Sequence, residues 1–107
     1  MEQQNWMDLQ EEAPFSVNAC LRYFQERYMG NWQLKILQAE VIFAYLNTKG
    51  YEVTVSTFGV PNRTDWYFEI HREEKLLKHE RNFISAELAA LQAITFTFME
   101  LEKAHNL

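Results

Sequence analysis

A single cysteine, Cys20, stands in this 107-residue chain, so no disulfide can form within it and packing alone must hold the fold. Glycine is nearly as scarce. Gly30, Gly50 and Gly59 lie far apart, and without a glycine-rich turn the backbone cannot wrap a phosphate, which excludes the familiar nucleotide and dinucleotide fingerprints. No run approaches the roughly 20 apolar residues of a membrane span. The opening MEQQNWMDLQEE has neither the basic start nor the apolar stretch of a secretory signal. These absences read as a soluble, intracellular protein of the cytoplasm, and the sequon Asn62-Arg63-Thr64 as chance.

Reactive constellations are missing as well. His71 and His79 fall on neighbouring strands of an expected hairpin, but a zinc ion needs about four ligands and no others stand at a recognisable spacing. Glu102-x-x-His105 is half of a di-iron helix motif, present once and without partners on other helices. Cys20 lies on an apolar stripe beside Phe24, the setting of an inert thiol rather than a nucleophile. The pairs Glu11-Glu12 and Glu73-Glu74 sit where water keeps both carboxylates ionised. The sequence therefore predicts no catalysis, no metal, no cofactor and no small-molecule substrate.

What charge there is lies unevenly. The net charge is -5, and Glu2, Asp8, Glu11 and Glu12 precede any basic residue. The remaining chain is close to neutral and offers no general attraction to nucleic acid or anionic lipid. Residues 1–14, polar and closed by Pro14, read as a flexible acidic arm, with Trp6, Met7 and Leu9 as its costly exposures. Residues 15–107 read as a single domain.

Periodicity supplies the elements. Ser16 is placed to cap a helix over Val17–Met29, whose Val17, Cys20, Leu21, Phe24 and Tyr28 form one stripe. A second helix is expected over Gln33–Lys49. Leu34, Leu37, Val41 and Tyr45 fall on one side of it, and Ile36, Ala39, Phe43 and Leu46 on nearly the opposite side, so it needs cover on two faces. Alternation then gives strands at Tyr51–Thr57, Trp66–Arg72 and Leu76–Asn82, separated by the turn residues Gly59, Pro61, Asn62 and Asp65 and by Glu74-Lys75. Ser85 caps a last helix in which Leu88, Leu91, Ile94, Thr95, Phe98 and Leu101 recur at helical spacing, with Glu87 in its first turn. The expected fold is α+β: helix, helix, three-stranded antiparallel sheet, helix, with the N-terminal helix laid over the second one.

The order of elements over about residues 33–104 resembles the double-stranded-RNA-binding domain. Tyr51-Glu52-Val53 is similar to that family's first strand, Gly59-Val60-Pro61-Asn62 to its minor-groove loop, and Ser85 followed by alanines to the start of its last helix. The resemblance implies an αβββα core, here with an extra N-terminal helix, and duplex-RNA binding by shape. Where the family carries a lysine cluster this chain has Ala86, Glu87 and Ala90, so the contacts implied fall to the hairpin bases Arg63, Lys75 and Lys78.

Three Trp, five Tyr and eight Phe are many for a core this small, and they point to burial between chains. The leading expectation is a non-catalytic interaction domain, a homo-oligomer or binder of a protein partner, using Trp6, Ile36, Phe43, Leu46 and Phe96. Nucleic-acid binding through the hairpin is the alternative. A third reading has the acidic arm folding onto a basic partner.

Overall fold

A computed structural model of the protein describes residues 1–57 and 65–105. Its elements run α1 (Gln3–Glu12), α2 (Pro14–Tyr28), a 3-10 turn (Met29–Asn31), α3 (Trp32–Lys35), α4 (Ala39–Thr48), β1 (Glu52–Thr57), β2 (Trp66–Arg72), β3 (Lys75–Phe83) and α5 (Ala86–His105). The fold is α+β, as expected, with an antiparallel sheet in the order β1-β2-β3. No helix among the described residues is long and apolar enough to cross a membrane.

Alternation orients the sheet. Val53 pairs with Ile70 and Val55 with Phe68, and this face meets α4 and α5. Phe68 and Ile70 on the central strand are buried, while β3 contributes little more than Phe83. Glu73 and Glu74 join β2 to β3 with φ of 53° and 67°, the left-handed pair that a two-residue hairpin of matching twist requires. That chemistry normally selects Asn-Gly, so two glutamates here hold the turn against their own preference.

α5 lies at the centre of the molecule. It packs on the sheet with one face and on α2 and α1 with another, which is why Ala89, Ala93, Ile94, Thr97 and Phe98 are all solvent-free. Ser85 caps it as expected, its Oγ accepting the Leu88 N–H at 3.1 Å. α2 also reaches α4, through Tyr23 and Phe24 against Tyr45 at ring distances of 5.1 and 5.9 Å.

Three local expectations are corrected. First, residues 1–14 are not a flexible arm. Gln3–Glu12 is helical, and Trp6, Leu9 and Ala13, spaced to share one helix face, join the same core cluster as Phe24, Ile94 and Phe98. Second, Ser16 does not cap α2, which begins at Pro14. Proline suits the first helical position because its missing N–H would have no partner there. Third, the helix expected over Gln33–Lys49 is interrupted. Leu37 and Gln38 donate to the carbonyls of Leu34 and Lys35 in the tighter three-residue pattern, and Gln38 turns extended before α4 starts. The interruption releases two carbonyls, and the N-terminal segment takes both. Trp6 Nε1 donates to Ile36 O and the Met1 ammonium to Leu37 O, each at 2.8 Å.

Candidate functional site

The N-terminal segment and the α3–α4 interruption, tied together in this way, face the first turns of α5 across a groove of about 900 Å³. The groove exists because three sequence features coincide. Trp6 anchors α1, the break at Leu37–Gln38 turns the chain aside, and Ala90 leaves room where a larger residue would fill it. Ala90 and Ile94 form the floor, and Leu37 and Leu88 stand on the walls, each 41 % exposed. Glu2, Glu40 and Glu87 lie along the rim. A smaller depression lined by Asp8, Leu9, Glu12 and Thr95 continues it between α1 and α5, sharing Asn5 and Leu91.

Among the described residues the only cation of this lining is the Met1 ammonium, committed to Leu37 O. Burial holds it below its ordinary pKa, against the pull of Glu2. Among the described residues, every charged side chain in the two linings is a carboxylate.

The residues expected to form an interaction surface are placed otherwise. Trp6, Ile36 and Leu46 are buried in the chain's own core, so they cannot meet a partner. Phe43 and Phe96 are half-buried and pack on that core, with the Lys78 ammonium 5.7 Å above the Phe96 ring. Of the aromatics that suggested intersubunit burial, Trp6, Phe24, Tyr45, Tyr51, Phe68 and Phe98 are buried within the chain. Sequence reasoning missed the groove because its residues come from three distant segments. Leu37 and Leu88 were on view, but as members of helical stripes.

The hairpin bases are mostly engaged. Lys78 sits 3.5 Å from Glu80, and Arg81 pairs with Asp65 at 2.7 Å while Asp65 also accepts the Asn82 N–H. Lys75 is exposed at the start of β3. Arg63 and the Gly59–Asn62 loop lie outside the described residues. On the outer face of the sheet Glu69 stands between His79 at 3.4 Å and His71 at 3.7 Å. Among the described residues no group of three or more potential ligands is gathered to hold a metal ion.

Other ionisable groups are bound into the core. Cys20 is solvent-free, and burial pushes its thiol well above the ordinary range, with Lys49 only partly opposing. Tyr45 is pushed up to about 12, chiefly by burial. Glu102, on α5, accepts the backbone N–H of Ser16 at 2.9 Å and of Phe15 at 3.3 Å. It thereby caps α2 from another helix. Burial alone would raise its carboxyl, but the bonds from Ser16 and Phe15, with His105 nearby, hold it below the usual value. His105 itself stacks on Phe15 at 4.3 Å. Both members of the Glu102-x-x-His105 pair therefore serve the α2–α5 junction.

Comparison with protein-family models, with curated proteins and with solved structures brings up no match.

Proposed function

We propose that this chain is a non-catalytic interaction domain that takes a protein partner in the groove between the N-terminus, the α3–α4 connection and α5. The observation that carries this reading is that Leu37 and Leu88, both substantially exposed, line one cleft together with the buried Ala90 and Ile94. Isolated apolar residues on a surface mean little, but apolar residues that line one cleft with a polar rim are the usual form of a recognition site. Chemistry is a poorer use of the groove. Its charged side chains are exposed carboxylates with no nucleophile beside them, and the thiol of Cys20 is buried elsewhere. A homodimer through Trp6, Ile36 and Leu46 is set aside because their side chains are spent on the chain's own core.

Leu88→Asp tests the reading. The residue is exposed enough for the variant to fold, as circular dichroism would verify. Used as bait beside the wild-type chain in an extract of the source cells, the variant is expected to lose a partner that the wild type retains. A partner held equally by both, or lost only on changes in the β2–β3 hairpin, would refute the groove as the binding surface.

A further inference from the structure

The groove's electrostatics and the nature of its walls specify the occupant more closely, and from them we infer that it receives the apolar face of a lysine- or arginine-rich amphipathic helix of a partner protein. This inference rests on the reading of the groove as a protein-binding site.

Charge comes first. Glu2, Asp8, Glu12, Glu40 and Glu87 border the groove and its continuation, and among the described residues no Lys, Arg or His side chain does. The starts of α1, α4 and α5 also converge here, and each helix N-terminus carries the equivalent of roughly +0.5 charge. Glu40 and Glu87 occupy the first turns of α4 and α5 and Glu2 precedes α1, so each end is more than neutralised by a full negative charge. Asp8 and Glu12 have no such offset, and the Met1 ammonium is a single opposing charge. The rim stays negative. It repels an acidic partner and draws a basic one, an effect that acts on encounter as well as on affinity.

The walls decide the form of the partner. Among the described residues the lining comes from helices, a helix connection and the two residues before α1, and no strand contributes to it. An extended peptide would bring unpaired backbone N–H and C=O groups against Leu37, Leu88 and Ile94 with no ladder to receive them. A helix satisfies those groups internally and presents only side chains, which is the groove-docking mode. Lysines or arginines flanking its apolar stripe would then reach the carboxylates while their stems lie on the leucines.

Two synthetic peptides of about 14 residues, roughly four helical turns, provide the probe. They share one leucine face and differ only in carrying lysine or glutamate on the other. Fluorescence anisotropy against the full chain is expected to show the lysine peptide binding at least about tenfold tighter, the sum of several rim pairs, with the advantage shrinking as salt rises. Glu40→Lys with Glu87→Lys is expected to reverse the preference, and Leu88→Asp to weaken both peptides. Equal binding of the two peptides, both weakened by Leu88→Asp, overturns the basic-helix inference while leaving the groove as a protein-binding site. Lysine-peptide binding that is insensitive to Leu88→Asp overturns both, and so does absence of binding by either peptide. Sedimentation showing self-association abolished by Leu88→Asp would identify the occupant as a second copy of this chain and overturn the inference.

Discussion

Replacing Glu102 isolates the contact that joins the two ends of the chain. Glu102 is 6 % exposed, and its carboxylate receives the N–H groups of Phe15 and Ser16, two of the donors that the start of α2 cannot satisfy within itself. A hydrogen bond to a charged group contributes about 1.5–3 kcal/mol, and a carboxylate at a helix N-terminus about 0.3–1 kcal/mol more. The 3.3 Å bond from the Phe15 N–H, partly buried, is the weaker one, and water can replace it. Glu102→Ala is therefore expected to cost about 2–4 kcal/mol. Glu102→Gln, which keeps one acceptor but turns an amide donor towards the second N–H, is expected to cost about 1–2 kcal/mol. Each kcal/mol corresponds to roughly 4–8 °C in Tm for a domain near this size. Urea and thermal unfolding, followed by tryptophan fluorescence, give both numbers. The pH dependence has a definite sign. The native carboxyl lies below its ordinary value near 4.5, so its contribution is complete above that value and is lost as pH falls through the lowered native one. The gap between wild type and Glu102→Gln should thus be constant from neutral pH to about 5.5 and close below it. Glu102→Ala within about 0.5 kcal/mol of wild type at neutral pH, or a gap indifferent to acid, would refute the capping role.

Trp6→Phe retains most of the buried ring but removes the donor to Ile36 O, and leaving that buried carbonyl unpaired is expected to cost about 1–3 kcal/mol. The same variant should raise amide exchange across Gln3–Glu12 relative to α5, which hydrogen-exchange mass spectrometry resolves; unchanged protection would count against Trp6 as the anchor of α1. In the β2–β3 turn, Glu73→Asn with Glu74→Gly places residues tolerant of positive φ where two glutamates stand, and is expected to stabilise by about 1–2 kcal/mol. A destabilised double variant in a urea titration would refute the turn assignment.

Much of this architecture was legible in the residues themselves. Period-two alternation at Val53, Val55, Phe68 and Ile70, the Ser85 cap and the stripe of α2 are local signals, and each produced the element expected of it. Locality also explains the errors. Four acids and a proline made residues 1–14 look like a tail, because composition outweighed the Trp6, Leu9, Ala13 spacing. The continuous helical pattern across Gln33–Lys49 concealed an interruption whose stabilisation comes from Trp6 and Met1, some thirty or more residues away.

By itself, then, the sequence determined the class of fold, the order of its elements and which side of each strand turns inward, since those follow from side-chain period and capping within a few residues. Tertiary structure decided where the acidic N-terminal residues go, which helix lies at the centre and where an apolar cleft is left open. Each of those outcomes depends on segments far apart in the chain coming together: Trp6 on Ile36, Glu102 on Ser16, Leu37 and Leu88 in the lining of one cleft. No local pattern encodes such a meeting, because only the assembled core can show which of several greasy faces remains uncovered.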